Sequence, residues 1–280
     1  MEQGNIINEP QKFSTNEINP PVSASFPNSK KPSFNRDFGK HDILKGEYKF
    51  HQQILAELIA SINFVFGVCG CILFSGDSQV NAMLGPAFIG GVNIFTFGKI
   101  SGAHFNPAVS LALFIRGKIN FKKFILFVIT QIIGGFIGCI LIGLCRRGKF
   151  KEMAANKIAD YLIYTAGGTK KNTWCYFSAL FSEFFGTFAL ILFILSSCEK
   201  DNYIGSILGL CVSTTLIPLS VLGINISTFS INPIRSIAPA IVQAIAGGDK
   251  TPIKQLWIYI VGPMVGSALA SFVWPIFTYQ

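Results

Sequence analysis

The chain has 280 residues, half of them hydrophobic and only 13% charged, with a formal net charge of +9. Soluble domains carry about 25% charged residues, so this chain cannot coat a globular surface, and its composition is that of an integral membrane protein. A positive balance would suggest nucleic acid as the partner of a soluble protein; here the basic residues fall in a polar tail and between apolar runs, which argues against it.

Residues 1–49 are polar, with Asn, Pro, Ser and Lys and no apolar periodicity, which predicts a disordered tail. No cleavable leader is expected, because the first apolar run begins only near Phe50. Six apolar segments follow, near 50–74, 80–100, 121–145, 175–198, 203–223 and 255–278. Each is long enough, at roughly 20 residues, to cross a bilayer as a helix. Two shorter apolar stretches, about 107–115 and 233–244, are too short to span. Each opens with Asn-Pro, and Asn as N-cap with Pro at the first helical position is a good helix start. They are predicted to be half-helices. Seven cysteines lack metal-ligand spacing and are expected to act as small packing residues, so neither a metal nor a cofactor is called for.

Two rare features share one offset. Asn106-Pro107-Ala108 returns as Asn232-Pro233-Ile234, and 232 − 106 = 126; Glu57 returns as Glu183, and 183 − 57 = 126. Such a shared period marks a tandem repeat, about 50–145 and 175–278 within one domain over 50–278. Each copy holds three spans and one half-helix. Three is odd, so the second copy enters the membrane from the opposite side, giving an all-α, inverted 3+3 repeat with six spans and two re-entrant half-helices. The stretches 100–105 and 226–231 are expected to be irregular backbone, tolerated at membrane depth only where it is buried or lines a watery cavity. Orientation does not follow from charge: with the N-terminus inside, eight basic residues flank inner ends and nine flank outer ends.

Facing half-helix N-termini present unpaired N–H groups and positive dipole ends. An Asn amide at each end adds a donor, so a water held there points its hydrogens away and cannot relay a proton. Carboxylates inside a membrane are expensive and call for a function. Glu57 and Glu183 are expected to accept bonds from backbone N–H groups of the irregular stretches, the plainer alternative being a simple helix-packing bond. Arg235 is expected to point into the pore. His104 either faces the lumen or bonds Glu57, and the bond is favoured.

The segments Ser101-Gly102-Ala103-His104-Phe105-Asn106-Pro107-Ala108-Val109 and Ser230-Ile231-Asn232-Pro233-Ile234-Arg235-Ser236 resemble the two signature loops of the aquaporin or major intrinsic protein family, and the likeness extends over about residues 50–278. The resemblance implies a homotetramer with one pore per subunit, both termini in the cytoplasm of a plasma or internal vesicle membrane, and water and small neutral solutes as the conducted species, with lipid around it and no enzymatic activity. It also implies a narrow filter, which by spacing from the loops falls on Pro86, Ser220, Phe229 and Arg235. Pro86 and Ser220 stand where orthodox water channels resemble Phe and His. Phe229 matches glycerol facilitators, whereas Ser236 and Ala240 resemble the water-channel pattern. Ile234 replaces the usual Ala and is expected to crowd the gap between the half-helices. Ile234 and the long tail motivate an alternative, a structural or tail-closed member of the family.

Overall fold

The computed structural model describes residues 48–76, 78–163, 172–197 and 207–278, so most of the polar tail and Cys198 lie outside the described residues. The helices in chain order are α1 (Phe50–Phe74), α2 (Gln79–Ser101), α3 (Pro107–Ile115), α4 (Phe121–Cys145), the single turn α5 (Asp160–Ile163), α6 (Trp174–Ser197), α7 (Leu208–Ser227), α8 (Pro233–Ile245) and α9 (Thr251–Thr278). Among the described residues, α1, α2, α4, α6, α7 and α9 are long and apolar enough to cross a membrane. Their outer faces carry side chains such as Leu222 and Phe272, 68% and 66% exposed. Exposed apolar surface on this scale is foreign to soluble monomers.

Two boundaries differ from the sequence expectation. The fifth span was expected to end at Gly223, yet α7 continues to Ser227, because Gly223 is helical and buried. Its true stop is Thr228, which turns left-handed at φ 54° while its N–H still reaches the Ile224 carbonyl. The last helix begins at Thr251 rather than near 255, its first turn met by Asp249, whose Oδ1 accepts the Thr251 N–H at 2.8 Å. That bond holds the Asp249 carboxyl below the usual carboxylate range. The irregular stretches are shorter than expected as well: Ile100, Ser101, Ile226 and Ser227 close helices, leaving 102–105 and 228–231 as the non-helical backbone.

Glycines bring the spans together. A Cβ on Gly138 of α4 would lie 2.7 Å from the Ile62 carbonyl oxygen of α1, and one on Gly262 of α9 would lie 3.1 Å from that of Leu180 in α6. Small residues let membrane helices approach until backbones touch. The helix pairs α1–α4 and α6–α9 are the tightest in each repeat. Both half-helices pack on α4 and α9, a member of each of these closely packed pairs.

Candidate functional site

Each irregular loop is held by its own glutamate, and the two sets of bonds repeat at the 126-residue offset. Glu57 Oε1 accepts from the Ser101 hydroxyl at 2.7 Å and the His104 N–H at 2.9 Å, and its Oε2 from the Phe105 N–H at 2.8 Å. Glu183 Oε1 accepts from the Ser227 hydroxyl at 2.7 Å and the Ser230 N–H at 2.8 Å, and its Oε2 from the Ile231 N–H at 2.6 Å. Both carboxylates are fully buried. The loops need this support because non-glycine residues sit at positive φ in both, Ala103 and Phe105 in one and Thr228, Phe229 and Ile231 in the other. Such backbone costs on the order of 1–3 kcal/mol per residue and persists only where its surroundings over-determine it.

His104 meets Glu57 through its backbone N–H and not through its ring. The ring Nδ1 lies 3.0 Å from the Ser110 hydroxyl, and Ser110 in turn accepts from the Gln131 amide. The ring therefore braces the loop against α3 and α4, because the carboxylate oxygens are already occupied by donors. In the second repeat the Ser236 hydroxyl donates to that of Ser230 at the same two offset positions. Ser101 with Ser227, and Ser110 with Ser236, share the spacing of the glutamates and could have been found by extending the repeat comparison.

Asn106 and Asn232 cap α3 and α8, their Oδ1 atoms accepting from Ala108 and Ile234 N–H groups. Their amides also cross between the loops: Asn106 Nδ2 donates to the Ile231 carbonyl and Asn232 Nδ2 to the Phe105 carbonyl, both at 2.9 Å. The half-helices thus meet N-terminus to N-terminus. Each amide has two hydrogens, and one of them knits the loops together. Pro107 and Pro233 fill the first helical positions, where no N–H is missed.

Ile234 does not crowd the lumen. It is fully buried in the apolar cluster with Ala60, Phe64, Val65 and Ala238, and its Cβ faces Gly135 of α4. It lines neither of the cavities described next. Gly135 gives the branched side chain the room that an alanine would not use. Replacing Ile234 with Ala should therefore lower thermal stability, by about 2–5 kcal/mol as for other buried Ile-to-Ala changes. Water permeability per folded protein should stay near the wild-type value; a large change in flux without loss of melting temperature would contradict this placement.

Two adjoining cavities lie beside the two loops. The larger, about 450 Å³, is walled mainly by apolar residues of α2, α6 and α7 and reaches Asn106 and Asn232. The smaller, about 60 Å³, is bordered by Pro86, Ser220, Phe229 and Arg235 together. Phe64, Leu216, Ser230 and Ile231 line both, so the two cavities adjoin there. Pro86 has no N–H to give the Ala82 carbonyl, and Ala82 also borders the smaller cavity. The Ser220 hydroxyl bonds back to Leu216 at 2.8 Å, so it adds little width of its own.

Arg235 is 3% exposed, and its Nη1 donates to the Ala154 carbonyl at 2.9 Å. Ala154 belongs to the connection after α4, which folds back over α8. There Asn156 Nδ2 donates to Thr228, its Oδ1 accepts from the Ser236 hydroxyl, and the Met153 N–H reaches Gln243. Ala154 and Asn156 are not foreshadowed by the sequence, because the key contact is a backbone carbonyl in a polar connector, and no side-chain pattern announces it.

The major intrinsic protein family matches residues 45–274. The chain is 31% identical over 223 residues to the glycerol uptake facilitator protein-like 6 of Lactiplantibacillus plantarum, covering 79% of this chain and 95% of that protein. It is 29% identical to aquaporin NIP1-2 of Arabidopsis thaliana, covering 85% and 78%. The aquaglyceroporin of Plasmodium falciparum superposes with a TM-score of 0.68 at 20% identity, over 83% of this chain and all of that one, and so shares the fold. With six spans, paired half-helices and this match over most of its length, the chain belongs to the major intrinsic protein family and is a multi-pass membrane channel passing water and small solutes passively.

Proposed function

We propose that the pore passes water and neutral solutes of glycerol or urea size, and that Pro86, Ser220, Phe229 and Arg235 form its filter. The observation that carries this reading is the lining of the narrower cavity. Proline and serine stand on the α2 and α7 sides, so no aromatic ring projects from either, while Phe229 offers an apolar wall and Arg235 offers donors. Pores select by diameter and by lining donors and acceptors, and this lining suits molecules with carbon on one side and hydroxyls or amides on the other. The name of the bacterial facilitator supports the same solute class. Protons and cations are turned back at the Asn pair and at Arg235. In this reading both termini are cytoplasmic and the exposed apolar faces assemble four copies, each with its own pore. The alternative of a structural or closed member loses one motive, since Ile234 is buried away from the lumen.

Stopped-flow measurements on proteoliposomes test this. Water, glycerol and urea permeability should all exceed those of empty liposomes. Glycerol and urea flux equal to the empty control, with water flux well above it, would reduce the protein to a water channel. Conduction only after removal of residues 1–40 would establish the tail-closed form instead.

A further inference from the structure

The ring of Phe229 is not free to choose its position. Gly223 of α7 lies against its root: a Cβ there would fall 2.5 Å from Cγ and closer still to Cδ2. Gly186 of α6 lies against its tip, where a Cβ would fall 2.6 Å from both Cε2 and Cζ. Both glycines are helical and buried. Neither has a positive φ, so backbone conformation does not demand glycine at these two positions. What demands it is the ring. Beyond the two glycines the ring packs against an apolar cluster that includes Leu190, Val212 and Ile231. Its remaining side borders the narrow cavity.

The first repeat supplies an internal comparison. Subtracting the 126-residue offset turns Gly186, Gly223 and Phe229 into Ala60, Phe97 and Ala103. There the ring belongs to the helix and the small side chain to the loop, and Phe97, Ala60 and Ala103 pack in one cluster. In the second repeat the ring has moved to the loop and the gap to the helix. The same packing space is filled from the opposite partner, and only in the second repeat does the ring border the filter.

We infer that Gly186 and Gly223 are positioning residues for solute selection: together they form a slot that draws the Phe229 ring back against α6 and α7 and so sets the bore of the filter. This rests on the filter assigned above and deepens it. A methyl group at either glycine closes the slot. The helices and the apolar cluster block the other directions, so the ring moves toward the cavity, which at about 60 Å³ has little width to lose. The slot excludes solutes that need carbon-sized clearance before it excludes water.

The test compares Gly223→Ala, Phe229→Ala and the double variant in proteoliposomes, each reconstituted at equal tetramer or monomer load. Alanine is the better helix former, so Gly223→Ala does not weaken α7 by propensity. The expected result is a glycerol permeability lowered roughly tenfold relative to water in Gly223→Ala, as a narrowed lumen discriminates by size. Removing the ring in the double variant restores it. A folded Gly223→Ala protein with the wild-type ratio of glycerol to water flux overturns the inference, as does a double variant no more permeable than Gly223→Ala. Should Gly223→Ala fail to fold, Gly186→Ala carries the same expectation, because its Cβ would meet the movable end of the ring and, at 3.0 Å, the Ile231 side chain besides. Should the wild type pass no glycerol, the proposed solute range fails while the slot remains testable. Water flux then falls in the glycine variant and recovers in the double variant, and a structure of the glycine variant shows the ring displaced toward Arg235.

Discussion

Replacing Glu183 with Ala is expected to remove folded protein from the membrane rather than to slow flux through it. The carboxylate is fully buried and accepts two backbone N–H groups and one hydroxyl from the second loop. An unpartnered buried N–H costs roughly 1–3 kcal/mol, and in the bilayer interior no water replaces the lost acceptor. The loop it holds has three non-glycine residues at positive φ, a backbone that persists only where its surroundings over-determine it. The combined loss, on the order of 5 kcal/mol, is comparable to the whole stability of many domains. Size-exclusion profiles and melting curves in detergent should show aggregation or a large fall in melting temperature. Glu183→Gln should lie between, since its amide keeps one acceptor and sets a donor against a donor. A monodisperse Glu183→Ala protein with the wild-type melting temperature would mean that the loop is fixed by its other contacts. The same change at Glu57 is expected to be at least as harmful, because that carboxylate also accepts from Gln131.

The parts of this machine that were legible in the sequence are those whose cause is local or periodic. Asn106-Pro107 and Asn232-Pro233 state a cap and a first helical residue within two positions, and the half-helices begin there. The two glutamates were legible because a buried charge is rare enough for its repetition to count. Gly223 closed the fifth apolar stretch as read, yet the helix runs on through it to Ser227. Its role is to leave room for a ring six residues later, and only coordinates reveal that. His104 does bond Glu57, through its backbone N–H, and also borders the larger cavity; residue identity alone does not say which of its donors makes the bond. Ala154 carries no signal at all, since what it contributes to Arg235 is a carbonyl that every residue has. Contacts made by backbone, and gaps made by absent side chains, are the features that a residue-by-residue reading passes over.

Changing Arg235 to Ala should open the filter to cations and protons while leaving water flow intact or faster. The guanidinium is almost entirely buried, borders the narrow cavity and is tied by Nη1 to the Ala154 carbonyl, so it cannot swing away from a passing ion. At an effective dielectric constant near 20, a unit charge about 4 Å away meets a repulsion of about 4 kcal/mol. That amounts to nearly a thousandfold in rate. The barrier at the Asn pair comes from two dipole ends of roughly half a charge each, so the variant is expected to leak modestly rather than to become a freely conducting pore. Arg235→Lys separates charge from shape: it keeps the positive charge but loses the planar fork that can hold the Ala154 carbonyl and a solute at once. It should therefore remain closed to protons while its preference among neutral solutes changes. The measurement is proton entry into liposomes loaded with a pH-sensitive dye under an imposed potential, with water flux recorded on the same samples. If Arg235→Ala stays as proton-tight as the wild type while its water flux rises, the arginine sets only the width of the filter. The paired helix ends bearing Asn106 and Asn232 then account for the exclusion of charge by themselves.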